Sequence, residues 1–226
     1  MTKLVIFDCD GTLVDSQHRI YDAMCTAFNG MGEENPPHAI VRSVIGLSLM
    51  EAMAKVAPEK SEEERNKMIE LFKGNYFHMH QTGQLQPEPL YEGIRDVVIA
   101  LHGAGYQLAV ATGKSARGLE RVLLAHDMRD YFISLQTADY HPSKPHPSMV
   151  YTCLEDAGVT PEQAVVIGDT EYDMEMARAA GVAALGVDWG YHSPEEMMNA
   201  GAKKVLMDVS EILGAVRDTL GAPETA

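Results

Sequence analysis

Two carboxylates, one residue apart, close the first apolar run of the chain: Leu4-Val5-Ile6-Phe7-Asp8-Cys9-Asp10-Gly11-Thr12. Four apolar residues predict a short buried strand, and Gly11 permits the turn that follows. Asp8 and Asp10 therefore sit at the carboxyl end of a strand, where open α/β sheets bind ligands. Two like charges so close are costly unless a cation or a shared proton relieves them. Alone, the pair reads equally well as an exposed acidic turn.

Three later stretches shift that balance. Val110-Ala111-Thr112-Gly113-Lys114-Ser115 places a hydroxyl, a glycine and a helix start after a second strand. Free amides there form an anion site; an ordinary cap by Ser115, with Lys114 in solvent, is the alternative. In Ser143-Lys144-Pro145-His146-Pro147 the prolines stiffen the chain and keep Lys144 out of the helical region. That aims one ammonium at a fixed point or leaves a rigid turn with a solvated lysine. In Gly168-Asp169-Thr170-Glu171-Tyr172-Asp173 the two aspartates are neighbours on one helix face. Thr170 and Asp173 also approximate a capping box, while an Asp leaving a strand near Asp8 makes a hard oxygen site of the kind Mg²⁺ takes. Together the four strand ends offer one cation site beside one anion site, which a phosphoryl group bridging Mg²⁺ and Lys144 satisfies.

The elements that must position these residues follow from pattern. From Tyr91 onward helices and strands alternate, with strands at about 107–111, 131–135, 164–167 and 182–187 and a candidate edge strand at 204–206. The closing helix is expected over 209–220. Alternation of this kind gives a parallel sheet covered on both faces, a Rossmann-like three-layer α/β core. Between Gln17 and Leu85 no strand pattern appears; four helical segments do, with Ser48 and Ser61 as starts and the second running from Pro36-Pro37 to about Val44. The organisation expected is a core of residues 1–15 and 87–226 with an inserted helical cap at 16–86. Connections at Val14 to Ser16 and Gly83 to Pro89 suit hinges. In the cap, Gly46 lets backbone approach the site and Arg42 is placed to meet a substrate carboxylate; a simple helix–helix turn with a solvated arginine is the equal alternative.

Composition narrows the partners. The 226 residues are 46% hydrophobic, enough for a full core, and no apolar run spans a bilayer. A formal net charge of −15 argues against nucleic acid and anionic membranes. The apolar start is broken by Asp8 and Asp10, so it does not read as a signal peptide. Cys9, Cys25 and Cys153 read as buried thiols of a reducing, cytoplasmic setting. His141 and His146 lack the further ligands of a metal site.

On these motifs the chain resembles the haloacid dehalogenase superfamily, in its branch with a helical cap after the first strand. The stretches Asp8-Cys9-Asp10-Gly11-Thr12-Leu13-Val14-Asp15-Ser16, Thr112-Gly113-Lys114, Lys144-Pro145 and Gly168-Asp169-Thr170 through Asp173 occur in family order. Gly186-Val187-Asp188-Trp189-Gly190-Tyr191 adds a likeness to phosphoglycolate phosphatase-type hydrolases. The resemblance implies a phosphatase acting on a small phosphorylated metabolite with Mg²⁺. It makes Asp8 the nucleophile and Asp10 the general acid and base, whose carbonyl oxygen also binds metal. Thr112, Gly113 and Gly11 face the phosphoryl group, Lys144 neutralises it, Asp169 binds the metal and Asp173 its waters.

Dehalogenases of the superfamily lack the second aspartate that Asp10 supplies. Phosphonatases carry a different first-motif tail and a cap lysine; Lys55 and Lys60 are present, but nothing in the sequence places either in the site. A β-phosphoglucomutase-like mutase shares the core residues, and a protein that holds a phosphorylated ligand without turnover is the non-enzymatic alternative.

Overall fold

The computed structural model describes residues 2–82 and 86–223. Six strands, β1 (Leu4–Phe7), β2 (Gln107–Thr112), β3 (Phe132–Thr137), β4 (Ala164–Gly168), β5 (Ala183–Val187) and β6 (Lys204–Leu206), form one parallel sheet. Their order is β3-β2-β1-β4-β5-β6. β1 is central, and its alternating side chains supply both layers of core. Val5 and Phe7 pack with α5 (Ile94–Gly103), α6 (Ala116–Ala125) and α10 (Ile212–Leu220). Leu4 and Ile6 pack with α7 (Ser148–Ala157), α8 (Glu171–Ala179) and α9 (Pro194–Ala200). Truncating a fully buried side chain such as Phe7 to Ala in a core of this kind costs about 3–5 kcal/mol. The three-layer α/β core thus stands as its periodicity predicts.

The departures lie at element ends. β3 runs to Thr137 because it stays paired with β2 out to Thr112↔Thr137. The closing helix divides into a 3₁₀ turn at Val209–Glu211 and then α10. Asp208 causes the division locally: its carboxylate accepts from Ser210 N at 2.9 Å and tightens the first turn.

Four helices, α1 (Gln17–Gly30), α2 (His38–Arg42), α3 (Leu49–Val56) and α4 (Glu62–Gln81), share a separate core of Met24, Phe28, Val41, Met53, Met68 and Ile69. Ser48 caps α3 by accepting from Glu51 N. α2 stops at Arg42, short of Val44, since the chain tightens into i→i+3 turns through Leu47. The two connections to the sheet run side by side. Val14 bridges Leu90 antiparallel, Asp15 N donates to Pro89 O at 2.9 Å and Tyr91 N to Leu13 O at 3.1 Å. Residues 83–85 of the second connection lie outside the described residues. Cys9 and Cys153 are buried, but Cys25 is only half-buried, on a face of α1 that the four-helix core leaves partly open. Among the described residues no helix is long and apolar enough to cross a membrane.

Candidate active site

The strand order turns on β1, which pairs with β2 on one side and β4 on the other, and the crevice at such a switch point is where α/β sheets bind ligands. Register brings the chemistry together there. Phe7 stands opposite Val110 and Ile167, so Asp8, Thr112 and Asp169 leave their strands within one layer.

Asp8, Asp169 and Asp173 are all buried, and each offers a carboxylate oxygen within 4.8 Å of the others. The loops are built around them. Thr12 Oγ1 donates to Asp169 Oδ1 at 2.9 Å, and Tyr191 N donates to Oδ2 at 2.9 Å. Gly11 passes so close that a Cβ there would lie 2.1 Å from Asp169 Oδ2, and its φ of +90° suits glycine. Asp173 serves two purposes. Its Oδ2 accepts from Thr170 N and Oγ1 at the start of α8, completing the capping box. Its Oδ1 accepts from Lys144 Nζ at 2.6 Å.

Lys144 Nζ also lies 2.8 Å from Asp8 Oδ1. Its hydrogen bond is aligned on Asp173, however, and both Asp8 oxygens are buried without a hydrogen-bond partner among the described residues. Burial pushes Asp8 up to about 7; Lys144 pulls it back and Asp173 pushes it further. Burial, then Asp8 and Asp173, raise Asp169 well above the usual carboxylate range. Burial opposes the Lys144 ammonium, but Asp173 and Asp8 outweigh it and hold its pKa above the ordinary value. Three buried carboxylates around one ammonium call for more positive charge. Oxygen donors with orphaned lone pairs fit a hard divalent cation such as Mg²⁺.

Asp10 stands outside this triad. Its Oδ1 accepts from Lys114 Nζ at 2.6 Å, and Lys114 lies 3.9 Å from Glu88, which Arg19 approaches at 3.4 Å. Lys114 is therefore not the solvated lysine of the alternative reading; it is nearly buried against Asp10. Thr112 is buried at the end of β2, where its Oγ1 accepts from Lys114 N at 3.2 Å and Gly113 follows.

Arg42 corrects an expectation. Rather than reaching toward a substrate carboxylate, it donates from Nε to Tyr191 O at 2.9 Å and from Nη2 to Gly190 O at 3.0 Å. Main-chain carbonyls of the core loop thus take its donors, and it clasps the inserted helices to the sheet. The neighbouring turn docks as well. Ser48 N donates to Ser143 Oγ at 2.8 Å, and a Cβ on Gly113 would lie 2.5 Å from the carbonyl oxygens of Gly46 and Leu47. Arg42→Ala is accordingly expected to slow all substrates alike, because two hydrogen bonds from an exposed arginine, worth about 0.5–1.5 kcal/mol each, hold the docked arrangement. Steady-state comparison of a substrate that carries a carboxylate with one that lacks it checks this; a loss confined to the former would restore Arg42 as a carboxylate reader.

Lys55 donates to the Tyr172 hydroxyl and Lys60 pairs with Glu33, so both ammonium groups are held by protein partners. His141 bonds Ser148 and Gln136 instead of a metal cluster. Sequence reasoning missed Glu88, which lies between two prolines in a connection without periodicity, and the amide of Tyr191, whose role depends on a loop distant in the chain.

The haloacid dehalogenase-like hydrolase family model matches residues 5–187. The chain belongs to this family. The protein named probable phosphatase IndB of Dickeya dadantii is 33% identical over 223 residues, covering 97% of this chain and 96% of its own. A phosphoglycolate phosphatase of Vibrio cholerae is 31% identical over 222 residues, covering 95% and 96%. The crystal structure of a predicted phosphatase from Clostridium acetobutylicum superposes with a TM-score of 0.85 over 96% of this chain and 99% of that one, at 24% identity. That structural likeness establishes the fold; the family model and the relatives make the chain a hydrolase.

Proposed function

We propose that the protein is a Mg²⁺-dependent phosphatase that hydrolyses a small phosphomonoester through an aspartyl-phosphate on Asp8. The observation that carries this reading is the buried Asp8 carboxylate, without an aligned donor on either oxygen among the described residues, between Lys144 and the acidic pair Asp169 and Asp173. A carboxylate serves as a covalent nucleophile when phosphate and charge are held in line.

In the first half-reaction Asp8 attacks phosphorus and the ester P–O bond breaks. Asp10 passes its proton to the departing alkoxide. In the second, water attacks phosphorus and gives a proton to Asp10, and the bond from Asp8 to phosphorus breaks to release phosphate. Thr112 Oγ1 and the Gly113 amide hold phosphoryl oxygens beside Gly11, and Lys144 balances their charge. Asp8, Asp169, Asp173 and the Asp10 carbonyl would hold Mg²⁺, which supplies further charge neutralisation at the phosphoryl group. Residues 1–15 and 87–226 form the catalytic body. Residues 16–86 form a lid that excludes water once Arg42 and the Gly46 turn are docked. Three free cysteines agree with a cytoplasmic location.

Phosphate release from acetyl phosphate tests the reading. It is expected to stop in chelator and return with Mg²⁺; full activity without metal would overturn the site. The same titration has a pH signature. Asp8 and Asp169 bind protons more tightly folded than unfolded, so their contribution to stability falls as pH rises above the usual carboxylate range, for Asp8 through about 7. Metal binding needs the deprotonated carboxylates. The rise in melting temperature on adding Mg²⁺ is therefore expected to be larger at about pH 8 than at about pH 5. An equal rise at both would contradict these buried ligands.

A further inference from the structure

Asp10 faces a cavity of about 540 Å³ between the inserted helices and the carboxyl end of the sheet. Since Asp10 hands its proton to the leaving alcohol in the reading above, this cavity is where the rest of the substrate must go. Its size is that of a pocket for a drug-sized ligand, about 300–1,000 Å³. A two-carbon acid would leave most of it to water, against the demand that the closed site hold its substrate in line and dry.

The lining has a definite chemistry. Met24 and Leu49 give it an aliphatic side. α4 contributes Phe72, Tyr76 and Phe77, and the rings of Phe72 and Tyr76 lie 5.6 Å apart. From α6 the Arg121 guanidinium lies 5.9 Å from the Tyr76 ring centre. Arg121 Nε is buried and has no hydrogen-bond partner among the described residues. Aromatic faces and a guanidinium plane together stack flat rings, and a buried donor without a partner asks for an acceptor. Arg42, the cation expected to read a small carboxylate, is held by main-chain carbonyls and is absent from this lining.

We infer that the leaving group is a flat heteroaromatic moiety, stacked along Phe72 and Tyr76 and offering a hydrogen-bond acceptor to Arg121. The inference rests on the phosphatase reading and names the substrate class of that site.

The test compares kcat/KM for uridine 5′-monophosphate, pyridoxal 5′-phosphate, phosphoglycolate and acetyl phosphate, in the wild type and in Arg121→Met and Tyr76→Leu. Acetyl phosphate fills little of the cavity, so its hydrolysis reports an assembled catalytic centre in each variant. At least one ring-bearing ester is expected to exceed phosphoglycolate by about tenfold or more. Each substitution is expected to lower the ratio of ring-bearing ester to acetyl phosphate by about tenfold. Phosphoglycolate equal to or better than both ring-bearing esters would overturn the inference and leave the phosphatase reading standing. A ratio unmoved by both substitutions would overturn it as well. Failure to hydrolyse any of the four, acetyl phosphate included, would overturn the phosphatase reading itself and this inference with it.

Discussion

Asp8→Asn is expected to abolish turnover while the fold persists. The two side chains share a shape, so the packing around β1 and the loop to Gly11 does not change. An amide, however, cannot form the bond to phosphorus. Loss of a nucleophile leaves only what positioning and charge supply, so kcat should fall by at least about 10⁴-fold. The substitution also removes a charge whose burial is costly, and Lys144 retains Asp173 as its aligned partner. The metal-free variant should therefore melt no lower than wild type above neutral pH. Phosphate release and melting curves on one preparation check both statements. Activity near that of wild type would remove Asp8 from covalent chemistry.

Asp10→Asn is expected to slow both half-reactions, each by about 10²–10⁴-fold, the usual worth of acid–base catalysis. The amide oxygen of the variant remains an acceptor for Lys114, so the local structure has no reason to collapse. What disappears is the proton: none is available for the departing alkoxide, and none is taken from the attacking water. Rapid-quench measurement of alcohol and phosphate release separates the steps. A loss below about tenfold in both would assign the proton transfers to another group.

The parts of this site that local pattern dictates were legible in the chain. Leu4 to Phe7, Gln107 to Thr112 and Ala164 to Gly168 are apolar runs flanked by turn residues, and parallel strands with crossover helices put their carboxyl ends together. Asp8, Thr112 and Asp169 then meet because each ends or follows such a run. Asp173 was readable as a cap or as part of an acidic pair with Asp169; the structure gives it the Thr170 cap on one oxygen and Lys144 on the other, beside Asp169. Arg42 was not legible. A cation on a short helix has the same local sequence whether it meets substrate, water or the Gly190 carbonyl, 148 residues away. Glu88 and Lys114 are similar: their burial depends on two connections and a strand end converging on Asp10, which no window of sequence contains. The cavity beside Asp10 joins α1, α3, α4 and α6, so its aromatic lining becomes a feature only when those helices are packed.

The central claim is the covalent bond between Asp8 and phosphorus. Wild-type protein loaded with Mg²⁺ is mixed with acetyl phosphate, quenched in acid within the first turnover and digested, and the peptide carrying Asp8 and Asp10 is fragmented by mass spectrometry. The account predicts one phosphoryl group on Asp8, lost on incubation in base and missing from Asp8→Asn. Phosphate released at the full first-turnover rate with that peptide unmodified, or a phosphoryl group on Asp10 instead, would contradict it.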